Sequence, residues 1–176
     1  MKKLIIAIVG ESCSGKTTLA EHLDEAFNIK LIQSYTDRPK RAPDENGHTF
    51  LSVAEFDLLD PQQMIAYTKF GDYRYCCLYS DLVDINSYVI DEVGLQMLKQ
   101  GNKGQYDIKS IRTVCSEQTR IERGGQIRVD RDRGRFNIPL SEFDIVYHSD
   151  SEVFDSILEA EDYVKRIGEW IDNLNK

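Results

Sequence analysis

Cysteine is scarce in this chain. Cys13, Cys76, Cys77 and Cys115 are the whole complement, none in C-x-x-C spacing, and Cys76 adjoins Cys77. That pattern excludes a disulfide framework and a paired-cysteine metal site, and it fits reduced thiols in the cytosol. Glycine and proline are also few, 11 and 4 in 176 residues, so long disorder is not expected, and the chain shows no low-complexity tract and no internal repeat. No apolar run is long enough to span a bilayer. The N-terminal run Leu4-Ile5-Ile6-Ala7-Ile8-Val9, after Met1-Lys2-Lys3, is too short for a signal peptide and has no small-residue cleavage site behind it. Positive charge is in deficit. A net charge of −8 argues against a general nucleic-acid binder, whose phosphate contacts need a basic surface. The expectation is a cytoplasmic chain without membrane or nucleic-acid partners, acting as a monomer or homodimer. With 41% apolar residues it has enough to fill one core.

Read along its length, the chain alternates strands and helices. Residues 4–9 predict a strand buried on both faces, as in a parallel sheet. Leu19, Ala20, Leu23, Ala26 and Phe27 then recur at helical spacing over 16–27, and residues 29–33 predict a second strand, completing a βαβ unit. From Ser34 to His48 the chain is polar and broken by Pro39, Pro43 and Gly47, which predicts a shaped loop. Residues 52–59 predict a short helix, and residues 64–70 and 73–78, joined by Gly71-Asp72, predict a hairpin. Strands are expected over 88–90, 108–115 and 144–147, with a helix over 92–100. A long amphipathic helix is expected from Ser151 onward, with Val153, Ile157, Leu158, Tyr163, Val164, Ile167, Trp170 and Ile171 facing the core.

Between the first strand and its helix stands Gly10-Glu11-Ser12-Cys13-Ser14-Gly15-Lys16-Thr17, which matches G-x-x-x-x-G-K-[ST]. A chance match in a chain of this length is an event on the order of half a percent, and the strand-before, helix-after context is also correct. Glycines let the backbone N–H groups turn inward beside a helix N-terminus, which makes an anion cradle. Gly10, Ser12, Cys13, Ser14, Gly15, Lys16, Thr17 and Thr18 are therefore expected around the phosphates of ATP. Lys16 would neutralise the β- and γ-phosphates, and the Thr17 hydroxyl would face Mg²⁺. Asp91-Glu92-Val93-Gly94 and Asn102-Lys103-Gly104-Gln105 imitate the motifs of GTP-binding proteins. The second lacks its aspartate and the two lie too close together. Asp91, at a strand end, reads as an acid near the metal or as a plain turn acid.

An otherwise acidic chain concentrates Arg112, Arg120, Arg123, Arg128, Arg131, Arg133 and Arg135 in one stretch. It is either a solvated helix balanced by Glu117, Glu122, Asp130 and Asp132, or an arm that closes over polyphosphate, for which the planar guanidinium fork is suited. Residues 118–137 are the expected lid, with Arg120, Arg123 and Arg131 as contacts to phosphate or adenine. Having few apolar anchors, the segment is expected to be ordered only when nucleotide is bound.

Ser34-Tyr35-Thr36-Asp37-Arg38-Pro39-Lys40-Arg41 follows the second strand, and Glu45-Asn46-Gly47-His48-Thr49-Phe50-Leu51-Ser52 and Glu55-Phe56 come after it. With the phosphate loop, these resemble the motifs of the guanylate kinase family over roughly residues 1–80. The resemblance implies an α/β fold of the P-loop NTPase type. It would have a core of residues 1–33, 80–117 and 138–176 around a parallel sheet, an inserted mixed α/β monophosphate-binding subdomain at 34–79, and the arginine-rich lid. It implies that Arg38 and Arg41 clamp the acceptor phosphate with Tyr75 and His48, and that Ser34 reaches the base. Two arginines three apart beside the phosphate loop also suit a dianion on charge alone. The departures lie at the base. Ala66 stands where the family has a glutamate, Tyr75-Cys76-Cys77 replaces its hydroxyl-bearing triplet so that Cys77 takes the hydroxyl's place, and Glu92 is the nearest substitute acid. The expected activity is ATP- and Mg²⁺-dependent phosphoryl transfer to a nucleoside monophosphate, on GMP or dGMP or with altered base recognition. A kinase of a non-nucleotide phosphate ester and a non-catalytic interaction module stand as the alternatives.

Overall fold

The computed structural model describes residues 3–45, 47–150 and 157–174, the side chains of 157–164 and 174 excepted. The strand β1 (Lys3–Val9) lies at the centre of a five-stranded parallel sheet, between β7 (Ile85–Ile90) and β8 (Tyr106–Val114). The strands β2 (Lys30–Leu31) and β9 (Ile145–His148) close its two edges, in the order β2-β7-β1-β8-β9. A central strand covered on both faces needs apolar residues at every position, and β1 shows this directly. Leu4, Ile6 and Ile8 pack with Leu19, Ala20 and Leu23 of helix α1 (Lys16–Phe27) and Ile167 of the last helix (Ile157–Leu174, α6). Ile5, Ala7 and Val9 pack on the opposite face with Leu95 and Leu98 of α3 (Glu92–Gly101) and with Ile65.

A second sheet of four strands stands beside the first, in the order β4-β3-β6-β5. Its members are β3 (Ser34–Thr36), β4 (His48–Phe50), β5 (Met64–Phe70) and β6 (Tyr73–Leu78). The stretch expected to be one shaped loop therefore begins with a strand and ends on another, paired in parallel with register Ser34↔His48. Polar composition hid them, because Ser34 and Thr36 are buried by the pairing partner rather than by local pattern. The hairpin of β5 and β6 is as expected, with one extra residue in β5 between Ile65 and Thr68. That bulge carries Ala66 at φ 56, a left-handed conformation that turns the strand locally. Helix α2 (Val53–Asp57) starts on a capping box, Ser52 Oγ accepting from Glu55 N and the Glu55 carboxylate from Ser52 N. Ser52, Glu55 and the buried Phe56 thus have structural work of their own.

The second strand is shorter than its apolar run, Ile29 and Ile32 entering the cores on either side of it. The arginine-rich stretch forms two helices, α4 (Glu117–Gly124) and α5 (Gln126–Asp132), hinged at Gly125 and anchored by the buried Val129. In the last helix Ile167, Trp170 and Ile171 face the core as expected. Val153 lies outside the described residues, as do the side chains of Ile157, Leu158, Tyr163 and Val164. Among the described residues no helix is long and apolar enough to cross a membrane.

Candidate active site

The phosphate loop leaves β1 at Gly10, where a Cβ would collide with Thr113 and Ser14, and it enters α1 through Gly15 at φ 84. Ser14 is fully buried, its hydroxyl 2.6 Å from Thr113 Oγ1, which in turn donates to Val9 O at 3.3 Å. Ser14 therefore contributes a backbone amide and a tether to β8. Lys16 Nζ donates to Gly10 O at 2.8 Å and Glu11 O at 2.7 Å. Burial pulls its pKa down to about 8, with Asp132 acting in the opposite direction. Thr17 and Thr18 are exposed on the first turn of α1. Below the loop, the buried Arg112 pairs with Glu11 at 2.9 Å and stacks on Phe136.

The arm is closed on this loop. Asp132 Oδ2 accepts from Ser12 N at 2.5 Å, and Arg131 Nη2 donates to Ser12 Oγ. Arg123 holds the other side, donating to Cys13 O at 3.4 Å, Ser149 Oγ at 3.2 Å and Ser149 O at 2.7 Å. Gly124 packs so tightly on Cys13 that no Cβ fits between them. Arg120 is buried within α4 with its Nε unpartnered, and it is not on the cleft wall.

On the acceptor side the two expected arginines have different surroundings. Arg38 is buried and forks onto Glu45, at 2.7 and 3.2 Å, with Phe50 beneath its guanidinium. Arg38 and the Arg41 amide hold the Glu45 carboxyl down to about 2. Arg41 is exposed and lines the cleft. Glu45 meets both, but the Arg38 guanidinium at 2.7 Å and the Arg41 guanidinium only at 3.9 Å, with Arg41 otherwise held through its backbone amide at 2.6 Å. His48 Nδ1 meets Ser34 Oγ at 2.7 Å, and burial together with Arg38 lowers its pKa to about 4, so the ring is neutral. The hydroxyl of the buried Tyr88 joins the same group through Ser34 and Cys77.

These parts surround one cavity of about 190 Å³ between the two sheets and the arm. Gly10, Ser12 and Lys16 of the loop line it together with Arg41, His48 and Tyr75 of the second sheet and its turn, and with Arg131 of the arm. Ser34, Ala66 and Tyr88 line it as well. Two expected base readers are not at its wall. Glu92 is buried, and its oxygens accept from Asn137 N at 2.7 Å and Ile138 N at 3.1 Å. Cys77 lies behind the wall with its thiol toward Ile65 O, and burial pushes it up to about 12. Asp91 does line the cavity. One oxygen caps α3 through Gly94 N at 2.7 Å, and the other accepts from Arg135 at 3.1 Å. Phe70 and Tyr88 have no signal in the sequence as site residues, and Asp132 and Arg135 stand there only as members of the charged stretch.

The parallel sheet with a phosphate loop after its central strand, flanked by a smaller sheet and an arginine-bearing arm, defines the fold of the P-loop kinases. Among solved structures, the chain is similar to guanylate kinase from Anaplasma phagocytophilum, with TM-score 0.64 and 20% identity over 94% of this chain and 84% of that one. It also aligns with a protein designated a kinase from Chloroflexus aurantiacus, with TM-score 0.51 and 16% identity over 98% and 97%. No family model matches the sequence, and no curated protein matches it. At these identities the likeness is one of fold.

Proposed function

We propose that this chain is a nucleoside monophosphate kinase of the guanylate kinase type, moving the γ-phosphoryl group of ATP onto the phosphate of a nucleoside monophosphate. The observation that carries this reading is that Lys16 and Arg41 line a single cavity. One cation stands in an anion-binding loop and the other in the turn that joins β3 to β4 of the second sheet, as two phosphates facing each other require. An acceptor phosphate oxygen would attack the γ-phosphorus as its bond to the bridging β–γ oxygen breaks, and ADP would leave. The reaction asks the protein for positioning and charge rather than covalent chemistry.

In this reading Lys16 and the loop amides hold the β- and γ-phosphates, while Arg41 and Tyr75 hold the acceptor phosphate. Arg38 and Glu45 shape the turn that presents Arg41. Arg131 meets the transferring group from the arm, and Arg123 fastens the arm to the loop. Among the described residues no cluster of three or more His, Cys, Asp or Glu side chains could hold a metal ion. Mg²⁺ would instead be held chiefly by the phosphates and water, with the exposed Thr17 hydroxyl as a hard oxygen ligand and Asp91 on the cavity wall nearby. When bound, the ion would screen the charge of the phosphates. The same reading takes small nucleotides as the partners, rather than nucleic acid or membrane, and a cytoplasmic monomer or homodimer.

The test is ADP release from ATP in the presence of single monophosphates of each base, with a sugar phosphate as control. Release that depends on a nucleoside monophosphate supports the reading. Release dependent only on the sugar phosphate, or none at all, contradicts it.

A further inference from the structure

The acceptor-side sheet reaches the arm through one aromatic ring. Phe70, the last residue of β5, presents its ring to the guanidinium of Arg135 at 3.9 Å and to that of Arg131 at 5.6 Å. Each arginine is also held at its edge, Arg135 by Asp91 at 3.1 Å and Arg131 by Ser12 Oγ. All three side chains line the same cavity. Phe70 is thus where the second sheet, the end of β7 and the phosphate loop meet the arm.

A guanidinium over an aromatic ring is held by the ring quadrupole through its flat face, and its N–H groups stay available in the plane for oxygen acceptors. An aromatic beside an acceptor pocket would ordinarily be read as a platform for the base. Here Arg135 already stands at stacking distance from the ring, so one face is taken by the arm rather than open to a base. The half-buried position of Phe70 at a hairpin tip makes it a small part of either core.

We propose that Phe70 is a positioning residue for phosphoryl transfer, holding Arg131 and Arg135 in the orientation that meets the transferring group. The proposal rests on the reading of the chain as a monophosphate kinase. Because the ring belongs to the acceptor-side sheet and the arginines to the arm, the arginines are aligned only when sheet and arm are together. Closure of the arm on the sheet and alignment of the two arginines become one event, which favours transfer to the acceptor over transfer to water.

The experiment compares Phe70→Leu, which keeps apolar bulk and loses the aromatic face, with Phe70→Tyr, which keeps the face. With ATP and the best monophosphate of the wild type, Phe70→Leu should lower kcat roughly tenfold and leave the acceptor KM within about twofold. Phe70→Tyr should restore kcat to within about twofold of wild type. Hydrogen exchange of the ligand-free protein over residues 126–135 should quicken in Phe70→Leu and not in Phe70→Tyr. Adding Phe70→Leu to Arg135→Ala should cost less than the two single losses combined, because both changes remove the contact of Phe70 with Arg135. A rise in acceptor KM with kcat kept would make Phe70 a base platform and overturn the proposal. Unchanged kinetics and exchange would make it a passive wall and also overturn it. If the wild type phosphorylates no monophosphate, the kinase reading fails, and the exchange comparison still decides whether the ring holds the arm.

Discussion

Asp132 of the arm accepts the backbone N–H of Ser12 at 2.5 Å, so a carboxylate lies against the loop that is built to hold phosphate. Its side chain is 3% exposed and flanked by Arg131 at 3.1 Å and Arg135 at 3.8 Å. After burial, it is the strongest influence on Lys16.

Under the proposed reading, a carboxylate in that position and a nucleotide polyphosphate would compete for the same amide and the same cations. Asp132→Asn should therefore tighten ATP binding by about tenfold, a hydrogen bond to a charged group being worth about 1.5–3 kcal/mol. Calorimetric titration with ATP measures this. Weaker binding by the variant would mean that the carboxylate belongs to the nucleotide-bound arrangement instead.

Under the proposed reading the Lys16 ammonium is the form that meets phosphate, and burial brings its pKa to about 8. ATP affinity should be flat at neutral pH and fall as pH rises through about 8, with proton uptake on binding near that pH. Stability runs the other way. The folded pKa lies below the ordinary 10.5, so between these values the unfolded chain holds more protons, and this group's contribution to stability rises with pH. Titrations in two buffers of different ionisation enthalpy would detect the uptake. Lys16→Arg, which does not titrate in this range, should abolish the pH dependence.

Arg38 and Arg41 should fail differently on truncation. Arg41→Ala removes an exposed cation from the cleft and should raise the acceptor KM with little change in melting temperature. Arg38→Ala leaves Glu45 without its closest charged partner, and a lost charged hydrogen bond costs about 1.5–3 kcal/mol. It should lower the melting temperature as well as raise KM. Equal effects on stability would contradict the division of labour.

Base discrimination should be modest. Guanine offers two donor groups and one acceptor along its pairing edge, and a buried site that reads it must answer them. Ala66 answers none, Cys77 lies behind the wall, and Glu92 is committed to two backbone amides. Each missing hydrogen bond costs about 0.5–1.5 kcal/mol, so two or three lower discrimination by roughly tenfold to several-hundredfold. Comparing kcat/KM for GMP, dGMP, AMP, dTMP and dUMP tests this. A preference for the guanine nucleotides of about ten-thousandfold or more would contradict it.

What could be read in the sequence was what local pattern encodes. The phosphate loop, β1 and α1 are contiguous, and every residue there states its role through spacing. The hairpin at 64–78 was legible for the same reason. β3 and β4 were not, because each is three residues long and exists by pairing with the other across the intervening turn. The two acceptor arginines look alike in sequence, and only the fold of Glu45 onto Arg38 separates them. Asp132 and Phe70 are ordinary in their own surroundings, and their meaning comes from partners more than sixty residues away in the chain.

The most direct measurement is transfer of labelled γ-phosphate from ATP to a nucleoside monophosphate by wild type and Lys16→Ala. The variant lacks the ammonium that the proposed reading sets against the transferring group, and the expected loss is about a thousandfold or more in kcat/KM, with circular dichroism and melting showing a folded chain. Labelled nucleoside diphosphate formed by the wild type, and not by the folded variant, is the predicted result. Near-normal transfer by Lys16→Ala, or none by the wild type with any monophosphate, would contradict it.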